Sequence, residues 1–180
     1  MKKILLVVLL SVAVVSLAVA QSTPAPAAAN PLVSATKMQL GMVKGFITKA
    51  AAQVPENLYG YKATPEVRSF GQLFGHVADS NYEICAAAAG QKPPVEGIEK
   101  SATAKADLVK AVGESFAYCE KIFDGTSDAD AAKTVNFFGR PQPKLAALAF
   151  NTGHDWEHYG NIVTYMRLNK MVPPSSQPSR

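Results

Sequence analysis

The sequence predicts an all-α protein built as a four-helix bundle. Three observations carry that expectation. Apolar residues recur at helical spacing over four stretches of roughly 20 to 27 residues each. Start and stop residues bracket every stretch. No segment shows the strict alternation of a half-buried strand, and no internal repeat is present.

Asn30-Pro31 opens the first helix, with Asn as cap and Pro in the first turn. Its apolar positions include Val33, Met38, Met42, Phe46 and Ile47, and Pro55 closes it after Gln53. Thr64-Pro65-Glu66 marks the start of the second helix, which runs to about Ala89 and stops at Gly90. QKPPVEGIEK follows, a connection free to cross the end of a bundle or to run back along it. Ser101 caps the third helix, which reaches about Phe123 before Asp124-Gly125. The polar segment TSDADAAKTVNFFGRPQP leads to a fourth helix from about Pro143 to Asn169. Residues 31–170 thus form the bundle, and 171–180 read as a disordered tail.

Residues 1–20 have the plan of a secretory signal peptide: Lys2 and Lys3, an uncharged apolar run, and Ala-Val-Ala ending at Ala20. Residues 21–30, QSTPAPAAAN, read as a Pro/Ala-rich linker. The chain is expected to be exported, periplasmic or extracellular, and to meet a membrane only through the signal peptide before cleavage. A retained N-terminal anchor is the alternative. Without the two signal lysines the charge is (18 − 2) − 14 = +2, and no basic run marks a nucleic-acid partner.

Three histidines occur in the chain: His76, His154 and His158. His154 and His158 stand four apart on one helix and face the same way. His76 lies on the second helix in a stripe with Leu73, Asp79 and Glu83. Three neutral imidazoles on a divalent ion leave coordination positions open, as catalytic sites do. Zinc, nickel, iron and copper all accept imidazole, so ligand type leaves the metal's identity open. Asp79, Asn151 and Asp155 are the candidate catalytic residues, placed to orient a ligand, and Asp79 is also a possible direct ligand. The bland reading, in which each histidine is an independent core or rim residue, stands beside this one. His154-Asp155-Trp156-Glu157-His158 also matches the H-x-x-E-H pattern of a protease family. That pattern needs a further acidic ligand downstream, and no Asp or Glu follows Glu157.

The segments FGQLFGHVADSNY and HDWEHYGNIVTYMRLNKMVPPSS resemble the DinB-like (YfiT-like) superfamily over about residues 31–176. The closing pattern comprises His154, His158, Gly160, Tyr165 and Arg167. The resemblance implies an up-down-down-up helix order and a three-histidine divalent metal site formed by His76, His154 and His158. It implies a metal-dependent hydrolase or thiol transferase acting on an unknown small molecule, and it admits a homodimer. The thiol cofactors used by some members are cytoplasmic, whereas this chain carries an export signal. The implied order also makes helices two and three parallel, which sets Cys85 and Cys119 at the same end. A Cys85–Cys119 disulfide is therefore expected, and an oxidising compartment favours it. The alternative is a pair of free buried thiols.

Three functions remain open on the residues alone: a metal-centred enzyme, a metal- or ligand-binding bundle without turnover, and a helical scaffold.

Overall fold

The computed structural model describes residues 29–178. The expected signal peptide and most of the expected linker lie outside the described residues. Four long helices form the bundle: α1 (Pro31–Gln53), α2 (Phe70–Ala89), α4 (Lys105–Asp124) and α6 (Lys144–Leu168). Two one-turn helices, α3 (Ile98–Ser101) and α5 (Asp128–Ala131), and a hairpin of β1 (Thr134–Phe137) with β2 (Arg140–Pro143) occupy the connections. No helix among the described residues is long and apolar enough to cross a membrane.

Side-chain pairings fix the helix directions. Asn81 meets Ser115, and Cys85 meets Cys119, so residue numbers rise together along α2 and α4. These two helices are parallel. Lys44 pairs with Glu120, and Lys105 reaches the carbonyls of Ala52 and Val54, so α1 and α4 are antiparallel. Phe70 packs on Tyr165, and Asn81 bonds Asn151, so α2 and α6 are antiparallel. The order is up-down-down-up. Each long helix packs on two neighbours, α1 and α2 both lying between α4 and α6. Phe70, Phe74, Leu108, Phe116, Leu148 and Ile162 fill the shared core, all fully buried.

Local chemistry sets the boundaries. The second helix begins at Phe70, five residues after Pro65. Ser69 and Gln72 form a reciprocal capping box there, and the carbonyls of Tyr61 and Tyr59 accept the N–H groups of Phe70 and Gly71. Thr64-Pro65-Glu66 is only a turn ahead of it. Asn30 does not cap α1 with its own side chain. Asp128, 96 residues beyond Leu32, accepts from Leu32 N and Val33 N, and its own N–H donates to Asn30 Oδ1. Ser101 ends α3 rather than capping the third long helix, which starts at Lys105. Val33, Leu40, Val43, Ile47 and Ala50 make the buried face of α1, and Met38 and Met42 project away from it into solvent.

The parallel pairing of α2 and α4 requires the chain to travel back along α2. After Gly90, in the left-handed conformation that ends α2, the connection returns and lays α3 against the middle of α2. The segment after α4 contains a hairpin that the sequence reading leaves as loop. Phe138 (φ 48°) and Gly139 (φ 76°) form its two-residue turn, with positive φ at both positions as tight hairpins prefer. Residues 171–178 are not a free tail: Pro174 is buried, Ser175 N donates to the Tyr159 hydroxyl, and Gln177 bonds Gln53.

Candidate metal centre

The second and sixth helices bring the three histidines together. His154 Nε2 lies 3.3 Å from His76 Nε2 and 3.0 Å from His158 Nε2. Ligand nitrogens held about 2.0–2.1 Å from a tetrahedral ion stand about 3.3 Å apart, so this spacing fits a divalent cation. Among the described residues, these three are the group of His, Cys, Asp or Glu atoms close enough to share one ion.

Burial keeps the imidazoles neutral, which is the form that binds metal. Burial lowers the His76 pKa, aided by the Arg68 charge and opposed by Glu99. His154 is lowered by burial and by its neighbour His76. His158 is pushed down to about 3, again by burial first and then by His154 and His76. Each ring is therefore neutral around neutral pH, with one of its two nitrogens free to bind metal.

Glu99 is the functional residue that sequence reading misses. Its Oε2 lies 3.1 Å from His76 Nδ1, and its Oε1 accepts from Arg68 Nε at 2.9 Å. A carboxylate on Nδ1 holds the proton there and turns the Nε2 lone pair toward the centre. The only signal in the sequence is an acid in a Gly- and Pro-containing connection, which by itself reads as solvated loop. Asn161 stands behind His158, its side-chain amide 3.4 Å from Nδ1. A half-turn of that amide presents Oδ1 to an Nδ1–H.

None of the three candidate catalytic residues joins the ligand group. Asp79 accepts from Ile98 N and Glu99 N at 2.9 and 2.8 Å, capping α3, and does not join the ligand group. It holds the backbone that carries Glu99. Asn151 and Asp155 are fully buried in the bundle. Asn151 Nδ2 donates to Asn81 Oδ1 at 2.9 Å and to Asp155 Oδ2 at 3.2 Å. Burial raises the Asp155 carboxyl well above the usual carboxylate range. Glu157 is exposed, consistent with rejecting the protease pattern.

A cavity of about 540 Å³ adjoins the centre, lined by Arg68, Leu73, Glu99, His158, Asn161 and Tyr165 among others. That volume suits a small molecule. Tyr165 donates its hydroxyl proton to the Arg68 carbonyl, which fixes the backbone of the rim. Across the ligand set, Phe150 stacks on the His154 ring at 6.3 Å. At the far end of α2 and α4, Cys85 and Cys119 form the expected disulfide, with Cα atoms 5.4 Å apart.

No curated protein matches the chain. Among solved structures, the fold is similar to a DinB-like protein from Bacillus cereus ATCC 10987, with a TM-score of 0.68 and 15% identity over 78% of this chain and 95% of that one. A DinB-like protein from Bacillus subtilis is also similar, with a TM-score of 0.62 and 20% identity over 83% of this chain and 100% of that one. The family model of the DinB superfamily matches residues 47–162, a span that contains all three histidines, Glu99 and both cysteines. The chain belongs to the DinB superfamily.

Proposed function

We propose that this is an exported metal-dependent enzyme, a hydrolase or transferase, that acts on a small molecule at His76, His154 and His158. The convergence of three Nε2 atoms at 3.0 and 3.3 Å carries the reading. A divalent ion held there would supply Lewis-acid polarisation. The chain's own residues supply the rest. Glu99 keeps the His76 proton on Nδ1, and burial keeps all three rings in the neutral form. The cavity beside His158 admits the substrate, with Arg68 at its rim. Both cysteines are joined in the disulfide, so no protein thiol among the described residues serves as nucleophile. The disulfide supports an oxidising compartment, and with it export.

Elemental analysis of untagged protein tests the site. The wild type should carry close to one divalent ion per chain. His154→Ala and His158→Ala should lose it, and equal metal content in all three would remove the proposal's basis. The residues favour no single metal among zinc, nickel, iron and copper. A panel of ester, amide and thiol-transfer substrates on loaded protein then separates turnover from the second reading, a metal- or ligand-binding bundle without catalysis. Mass spectrometry of the exported chain tests cleavage after Ala20.

A further inference from the structure

Three buried side-chain atoms among the described residues have no hydrogen-bond partner: Asn151 Oδ1, His154 Nδ1 and Asp155 Oδ1. All three lie on one turn of α6, at positions i, i+3 and i+4, which share a helix face. Asn151 and Asp155 are side by side, joined through Asn151 Nδ2 and Asp155 Oδ2 at 3.2 Å. Their remaining oxygens both lack a partner in a residue pair with zero exposure. A buried polar atom without a partner carries a substantial desolvation cost, about 1–3 kcal/mol each. Three such atoms on one turn point to a shared partner rather than to three separate defects.

The histidines themselves sharpen the argument. His76 has Glu99 on Nδ1, and His158 has the Asn161 amide near Nδ1. His154 is the central ligand, within 3.3 Å of both other Nε2 atoms, yet its Nδ1 has no protein group to hold a proton there. Without one, nothing selects the tautomer that frees Nε2 for a metal.

We propose that Asn151 Oδ1, His154 Nδ1 and Asp155 Oδ1 together hold one internal water molecule, through which Asp155 and Asn151 position His154 for metal binding. The hydrogen-bond count closes. The water accepts from His154 Nδ1–H, donates to Asn151 Oδ1 and makes its third bond to Asp155 Oδ1, which accepts as a carboxylate and donates as a carboxylic acid, giving the three bonds typical of a buried water in either form. The amide of Asn151 is itself oriented by Asn81, whose own amide donates to Ser115 Oγ, so the water's acceptors are anchored through α2 to α4. Asp155 and Asn151 are thus positioning residues, as Glu99 is for His76. This extends the three-histidine reading, but its first test needs no metal.

That test is the tautomer of His154 in metal-free, ¹⁵N-histidine-labelled protein, read from long-range ¹H–¹⁵N couplings, together with a crystal structure at atomic resolution. The expected results are a proton on Nδ1 in slow exchange and an ordered water within hydrogen-bond reach of all three atoms. A His154 protonated on Nε2, or a site with no such water, would overturn the proposal. Zinc titration adds a second arm. Asp155→Ala should weaken zinc binding about 10- to 100-fold, and Asp155→Asn should stay near wild type, because its amide oxygen still accepts from Asn151 Nδ2 and its NH2 bonds the water from the Oδ1 position. A folded Asp155→Ala protein that binds zinc as tightly as wild type also overturns it. If wild type binds none of zinc, nickel, iron and copper, the metal reading fails, and the tautomer and the water still decide this proposal by themselves.

Discussion

Gly75 and Glu99 meet backbone to backbone: a Cβ built on Gly75 would stand 2.7 Å from Glu99 Cα and 3.0 Å from its amide nitrogen. The absence of a side chain in the middle of α2 is what lets the returning connection lie close enough for Glu99 to reach His76. Helix propensity alone makes Gly75→Ala stabilising by about 1 kcal/mol. The contact reverses the sign. The atoms met are backbone, which cannot rotate aside, so the substitution should destabilise by about 1–3 kcal/mol. It should also displace Glu99 and weaken metal binding. Gly153→Ala on α6, where nothing lies within 4 Å, is the control and should be neutral or stabilising. Urea denaturation of both variants decides between the two signs.

Removing the carboxylate itself separates its two roles. Glu99→Ala leaves His76 without an acceptor on Nδ1 and Arg68 without its ion-pair partner. Loss of such an outer-sphere partner typically lowers metal affinity about 10- to 100-fold. Stability should change little, because the Arg68 side chain is substantially solvent-exposed and such pairs contribute about 0–1 kcal/mol. Competition titration against a chelator, alongside thermal melts, should show the affinity falling without a matching fall in stability.

The disulfide should contribute most to stability and little to the site. It closes a loop with a sequence separation of 34 residues and joins the parallel pair α2 and α4. Chain entropy assigns a loop of this size about 3–4 kcal/mol. The Cys85→Ser, Cys119→Ser double variant should therefore unfold at markedly lower denaturant. Metal content should remain at the wild-type level as long as the protein is folded. A drop in metal content at temperatures well below unfolding would show that the crosslink also holds the histidines in register.

The histidine trio is legible because two members stand four apart on a strongly helical segment and the chain has only one other to offer. The parallel course of α2 and α4 becomes legible only through resemblance, and Glu99 depends on it. Nothing local in QKPPVEGIEK indicates that the segment doubles back over Gly75 and sets an acid behind an imidazole. The start of α2 fails for a different reason. The expected start at Thr64 yields to Ser69, five residues later, whose box with Gln72 is supplemented by the carbonyls of Tyr59 and Tyr61. The hairpin is hidden because β2 contains two prolines and its turn places Phe138, a residue disfavoured at positive φ, beside Gly139. The tail reads as disordered from composition, yet Tyr159 and Gln53 give its polar groups partners on the bundle.

Tyr59 supplies a pH-dependent element remote from the histidines. Its hydroxyl donates to Ala51 O at 2.6 Å, satisfying one of the carbonyls that the end of α1 leaves without a helical partner. Burial, and secondarily the Glu56 charge, raise its pKa well above the ordinary tyrosine value. The folded state therefore favours the protonated phenol. The corresponding stability is fully present below the unfolded value of about 10. Above that pH the unfolded chain loses the proton while the native state keeps it, so stability falls as pH rises toward the folded value. Tyr59→Phe should cost about 1 kcal/mol at neutral pH, through the lost hydrogen bond to Ala51. It should also make the alkaline decline shallower by one proton. Denaturation series between neutral pH and about pH 11 compare the two slopes directly, and identical slopes would mean that Tyr59 ionises as readily in the native state as in the unfolded chain.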